Sequence, residues 1–197
     1  AGYAYKIHTK DEAGMPKAKT SKARLIRPDD EWILVRYSNP EANLRLEAFD
    51  TDIGKIDSYI VAAATFGGKS LQTVYFGKEV SSLEASAFAN QGSLTKVEFK
   101  KDSGIKEIPN YAFAYCGSLN KVIFGDNVAS IGDYAFIYDS LSETVELSPA
   151  LESIGNQAFA STGLKCIFLP ENVTSIGSYA FSGCSSLIEV YNLSTAL

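Results

Sequence analysis

Residues 119–140 read LNKVIFGDNVASIGDYAFIYDS, and the pattern inside this stretch decides the fold because it returns on both sides at fixed offsets. The full copies are LQTVYFGKEVSSLEASAFANQGS at 71–93, LTKVEFKKDSGIKEIPNYAFAYCGS at 94–118, LSETVELSPALESIGNQAFASTG at 141–163 and LKCIFLPENVTSIGSYAFSGCSS at 164–186. A further copy opens at Leu187 and stops at Leu197, and a looser one covers about 43–70. A period of 22 to 25 residues is the signature of a repeat architecture, within the range of leucine-rich repeats.

In every full copy a Phe follows a branched aliphatic residue by five positions and has Ala before it. The pairs are Leu83 with Phe88, Ile108 with Phe113, Ile131 with Phe136, Ile154 with Phe159, and Ile176 with Phe181. A coil this short cannot bury its own apolar face, so each coil must stack on the next. Stacked extended chains lie about 4.8 Å apart, which places successive Phe rings at a separation aromatic pairs favour. These ten residues are therefore read as core, and the neighbouring Ala as the small residue that lets coils approach. In the loose copy the same offset from Ile56 reaches Val61, which leaves 62–66 as an apparent insertion.

Each copy holds two strand-like pieces, L-x-x-V-x-F and V-x-x-I, joined by turn residues such as Gly125-Asp126-Asn127 and Pro170-Glu171-Asn172. The position after the branched aliphatic is Gly132, Gly155 and Gly177 in three copies but Glu84, Pro109 and Asp57 in others. Proline cannot take a positive φ, so this corner is expected to need no left-handed residue, and Gly to stand there because no side chain is required. Cys116 and Cys184 share one slot three coils apart, on the order of 14 Å at 4.8 Å per coil, too far for a disulfide. Gln91, Asp139 and Thr162 fill that slot elsewhere.

The string V-x-x-I-G-x-x-A-F-x-x-C-x-x-L-x-x-V, as at 105–122 and 173–190, resembles the BspA-like, or Treponema-type, leucine-rich repeat over about 43–197. The resemblance implies an α/β right-handed solenoid, strand-rich, with short helical or 3₁₀ turns around the Ala-Phe slot. It also implies a surface or secreted protein of host-associated microbes that adheres to host or microbial partners, and it carries no catalytic residues. A structural spacer within a longer surface protein is the competing role.

Residues 1–42 do not repeat. They hold eight Lys or Arg against six Asp or Glu, in a chain of net charge -5. Arg24–Arg27 and Trp32–Tyr37 around Pro28-Asp29-Asp30 read as a β-hairpin, expected to cap the first coil with Trp32 against it, since a raw sheet edge invites pairing. At the other end Val190-Tyr191-Asn192-Leu193 opens a strand with no polar cap. That edge is expected to continue into further chain or to pair with a second copy. Ala1-Gly2-Tyr3 lacks the pattern of a secretion leader, so any leader is expected to have been removed or left out of this sequence.

The acidic balance disfavours nucleic acid, and no apolar run approaches the roughly 18 residues of a membrane span. With His8 the sole histidine, a Ser-His-Asp or Cys-His arrangement has one place to be, and no nucleophile elbow accompanies it. Gly67-Gly68-Lys69-Ser70 lacks the spacing of a phosphate loop. No metal, no cofactor and no catalysis are expected. Binding is expected on the open side of the opening strands, where alternation turns the residue after the Val slot outward. That row is Tyr75, Glu98, Ile123, Glu146, Phe168 and Tyr191, flanked by Thr73, Lys96, Lys121, Thr144, Cys166 and Glu189. Its mix of rings and charges suits a protein or glycan partner, with Tyr75, Phe168 and Tyr191 as the leading residues.

Overall fold

In a computed structural model, the chain is described over residues 71–196 apart from 79 and 143, together with the backbone of seven strands before residue 62. The L-x-x-V-x-F segments form parallel strands stacked in register: Asn43–Leu46, Thr73–Phe76, Lys96–Phe99 and Lys121–Ile123, then Val145–Glu146, Cys166–Leu169 and Glu189–Asn192. The V-x-x-I segments form a second parallel ladder, Glu107–Ile108, Ser130–Ile131, Ser153–Ile154 and Ser175–Ile176. Parallel pairing follows from the repeat itself, because each coil returns to the same corner pointing the same way.

The five-residue offset places one Phe per coil inside. Phe88, Phe113, Phe136 and Phe159 are fully buried and Phe181 partly so. Their rings stack at 5.5, 5.4, 5.3 and 5.6 Å, within 12° of parallel. A second column, Phe76, Phe99 and Phe124, meets the first edge-on at 74° to 87°. Such pairs add roughly 0.5–1.5 kcal/mol each beyond burial. Leu83, Ile108, Ile131 and Ile154 are buried and Ile176 is partly buried against the same core.

The arc around each Phe differs from the helical or 3₁₀ turn expected of it, since no helix of either kind occurs among the described residues. Two residues before and two after each Phe the backbone is left-handed: Ser86 and Asn90, Tyr111 and Tyr115, Tyr134 and Tyr138, Gln157 and Ser161, Tyr179 and Gly183. Alternate N–H groups then leave the coil. Phe88 N donates to Ala112 O at 2.8 Å and Asn90 N to Ala114 O at 2.8 Å, while Ala87 N and Ala89 N donate three residues back. A 3₁₀ helix needs successive i−3 bonds, and the left-handed residues break the series. The described part of the chain is thus a strand-rich parallel β-solenoid, bonded coil to coil on three sides.

Gly132, Gly155 and Gly177 have no positive φ, as Pro109 implied. The reason for glycine is different from the one expected. A Cβ at Gly132 would lie 2.7 Å from Asn110 N, and one at Gly155 would lie 2.6 Å from Asp133 N. That close approach lets a side-chain ladder form beside it: Asn110 Oδ1 accepts from Asp133 N at 2.8 Å, Asp133 Oδ1 from Asn156 N at 2.7 Å, and Asn156 Oδ1 from Ser178 N at 2.8 Å.

The slot three residues after the Phe is a polar column, buried at Gln91, Cys116, Asp139 and Thr162 and half-buried at Cys184. Cys116 Sγ and Cys184 Sγ reach the Phe88 and Phe159 carbonyls, and Thr162 Oγ1 also bonds the Phe159 carbonyl. Asp139 Oδ1 accepts from Cys116 N at 2.9 Å. Burial pushes the Asp139 carboxyl up to about 9 and raises the Cys116 thiol as well. All three cysteines are free.

Ser21–Ile26 and Trp32–Ser38 pair antiparallel, and Leu25 and Ile26 pair with Val61 and Ile60. The hairpin therefore joins the solenoid through Tyr59–Val61, while the turn at 28–30 and the Trp32 side chain lie outside the described residues. Val61 pairs in parallel with Leu83, which corrects the alignment of the loose copy. Val61, not Ile56, holds the branched aliphatic slot, and five residues on the sequence has Phe66. The extra chain precedes that slot, as the antiparallel pair Phe49–Thr51 and Gly54–Ile56; residues 62–66 lie outside the described residues.

Candidate functional site: the strand face

Alternation along the opening strands as far as Cys166–Leu169 sends the Val and Phe slots inward and the residues between them outward, whereas Glu189–Asn192 is exposed throughout. Tyr75, Glu98 and Ile123 align as partners across three strands, and Glu146, Phe168 and Tyr191 align across the next three. The expected row therefore exists as two groups of three, and no ladder joins Lys121–Ile123 to Val145–Glu146. The cause is legible in the spacing. Leu and Val of the opening strand are three apart at Leu119 and Val122 but four apart at Leu141 and Val145. One extra residue in a strand displaces the local pairing as a bulge does.

The interruption leaves a cleft of about 380 Å³ lined by Asn120, Lys121, Val122, Ile123, Phe124, Thr144, Val145 and Glu146. Its walls carry strand edges that no ladder joins, with Lys121 on one side and Glu146 on the other. Phe124, whose counterparts Phe76 and Phe99 are buried, is only partly covered.

On one side of the cleft Lys96 Nζ bonds Glu98 Oε2 at 2.5 Å, so these two charges answer each other within one strand. On the other side Phe168 and Tyr191 stack at 4.6 Å, 8° from parallel, with 39% and 45% of their surfaces exposed. Tyr191 Oη donates to Glu189 Oε2 at 3.1 Å, and this bond holds the phenol above its ordinary pKa. Tyr75 is half-buried. Among the described residues no cluster of His, Cys, Asp and Glu forms a metal site.

Two features escaped the reading of the sequence. The cleft follows from the one-residue excess, which was present in the spacing. The arcs carry exposed tyrosines at left-handed positions, and their regular offset from the Phe was the available signal.

Stacked parallel coils of 22 to 25 residues, each opening on a leucine at 71, 94, 119, 141 and 164, define the class: a leucine-rich repeat solenoid. The family model for the BspA type leucine rich repeat region matches residues 59–188 in six copies, and the chain belongs to that family. Among solved structures it is similar to a leucine-rich repeat protein from Bacteroides ovatus, with 26% identity, a TM-score of 0.61 and coverage of 74% of this chain and 40% of that one. It is also similar to the T. pallidum leucine-rich repeat protein, with 21% identity, a TM-score of 0.56 and coverage of 80% and 83%. A leucine rich cell surface protein from Faecalibacterium prausnitzii matches with 21% identity, a TM-score of 0.53 and coverage of 93% and 56%. The chain thus spans less than two thirds of the Bacteroides and Faecalibacterium proteins. Among curated proteins none matches.

Proposed function

We propose that the chain is a non-catalytic binding module, displayed at a cell surface or secreted, whose strand face takes up a protein or glycan of a host or microbial surface. The observation that carries the reading is the exposed Phe168–Tyr191 stack beside the cleft between Ile123 and Glu146. Solenoids present such extended faces for binding, and a rigid ring pair loses little entropy when it is covered. The cell-surface description of the Faecalibacterium neighbour supports the location. Membership of a repeat family with no catalytic residues to carry over supports the absence of catalysis.

The test is a binding screen of the chain against immobilised extracellular-matrix proteins and glycans, repeated with a Tyr75→Ala, Phe168→Ala, Tyr191→Ala variant. Removing a ring at the centre of an interface costs about 2 kcal/mol, so binding should weaken by more than tenfold while circular dichroism shows the fold retained. A variant that binds as tightly as the parent sinks the assignment.

A further inference from the structure

The arcs on the side away from the opening strands form a second surface of different chemistry. Tyr occupies five of the ten left-handed positions, namely Tyr111, Tyr115, Tyr134, Tyr138 and Tyr179. Gly and Asn fill such positions with least strain, and a bulky residue there is uncommon. These rings are therefore present against the backbone's preference. They do little for the Phe core, because Tyr111, Tyr115, Tyr138 and Tyr179 are all exposed.

Tyr111 stacks on Tyr134 at 4.8 Å and Tyr115 on Tyr138 at 5.5 Å. Of these rings Tyr134 packs against a buried cluster of Ala114, Ile137 and Ala160. Small residues follow in the columns: Ser86 before Tyr111, Asn90 before Tyr115 and Ser161 after Tyr138. Beyond Tyr134 stands Gln157, whose Nε2 donates to Tyr134 Oη at 3.3 Å, so the ring faces next to small residues are those of Tyr111, Tyr115 and Tyr138, and ring edges with their hydroxyls run along the stacks.

The surroundings are nearly free of charge. Residues 85–93, 110–118, 133–140, 156–163 and 178–186 contain no Lys or Arg, and their carboxyls are Asp133 and Asp139 alone. Asp139 is buried, and Asp133 accepts from Asn156 within the ladder. The strand face, in contrast, carries Lys96, Glu98, Lys121, Glu146 and Glu189.

We infer that the arc surface around Tyr111, Tyr115, Tyr134 and Tyr138 binds an extended neutral polysaccharide lying along the solenoid axis. Tyrosine among Ser, Asn and Gly is a composition that binds through rigid rings and adaptable hydrogen bonds. The only large aliphatic side chain in these arc segments, Ile137, is buried, so the surface presents no exposed aliphatic anchor to a protein partner. An uncharged glycan asks instead for open ring faces and for donors and acceptors to its hydroxyls, and the Tyr111, Tyr115 and Tyr138 phenols, the Asn110 amide nitrogen and the Ser178 hydroxyl supply these along the stack. The surface is separate from the strand face, so the two assignments stand or fall apart.

The experiment is native gel electrophoresis of the chain through hydroxyethylcellulose, galactomannan and arabinoxylan, with heparin and polygalacturonate as charged comparisons. At least one neutral polymer should retard the parent. Tyr115→Asn, Tyr138→Asn, which removes two rings and leaves a residue suited to the left-handed backbone, should weaken that retardation at least tenfold at unchanged melting temperature. A strand-face variant should lose its own partner and keep the retardation. Nitration of the parent by tetranitromethane, mapped by mass spectrometry, should fall at Tyr115 and Tyr138 when the polymer is present, a readout that needs no variant to fold. Absence of retardation by all three neutral polymers, retardation by the polyanions alone, an unaffected double variant, or tyrosines shielded by a protein and not by a neutral polymer would each overturn the inference.

Discussion

Asp139 shows how one side chain ties this solenoid's stability to pH. Its carboxyl is buried, with Oδ1 accepting from Cys116 N and Oδ2 without a protein partner. Burial raises its folded-state value to about 9, against about 3.9 in an unfolded chain. Between those values the folded state holds a proton that the unfolded state releases. The contribution of this group is therefore fully present below about pH 4 and is lost as pH rises towards 9, by up to about 1.4 kcal/mol per unit. Asp139→Asn keeps the acceptor for Cys116 N and has no charge to bury. Its melting temperature should exceed the parent's at pH 8, with the gap closing at pH 4; two melting curves that run parallel across this range would refute the account.

At the scale of elements, the opening sheet is divided by a single residue. The excess between Leu141 and Val145 leaves Lys121–Ile123 and Val145–Glu146 unpaired with each other. Each backbone bond that a ladder between these two strands would add contributes about 1 kcal/mol. Deleting Ser142 restores the three-residue spacing of the other strands. The deletion variant should melt higher than the parent, and amide exchange at Val122 and Val145 should slow. A variant that melts lower, with exchange there unchanged, would show that something other than spacing holds the sheet apart. Closing the cleft would also separate its share of binding from that of the Phe168–Tyr191 stack, which the deletion leaves in place.

Over the whole molecule, stability is a sum of coils and of contacts between neighbours, so the effect of one truncation depends on its place in the stack. Phe136 is fully buried between Phe113 and Phe159 and touches Phe124 edge-on. Phe181 is partly buried and stacks on Phe159 alone among the described rings. Phe136→Ala should cost about 3–5 kcal/mol, and Phe181→Ala clearly less, as read from urea unfolding. Equal losses would argue that the coils do not behave as a one-dimensional stack.

The fixed offset from Leu83 to Phe88, repeated four more times, was sufficient to define the solenoid, its inward residues and its outward row, because stacking equal coils leaves one register that buries every ring. Pro109 likewise ruled out a left-handed corner at the Gly132 slot. Other features needed the coils placed against one another. The contact of Gly155 with Asp133 N, the ladder from Asn110 to Ser178, and the left-handed tyrosines depend on inter-coil distances that no single copy contains. The loose copy was misaligned at Ile56 for the same reason: offset alone admits two frames, and only the pairing of Val61 with Leu83 selects between them. Which faces can meet a partner was decided by tertiary structure too, since the cleft and the tyrosine columns arise between coils and not within one.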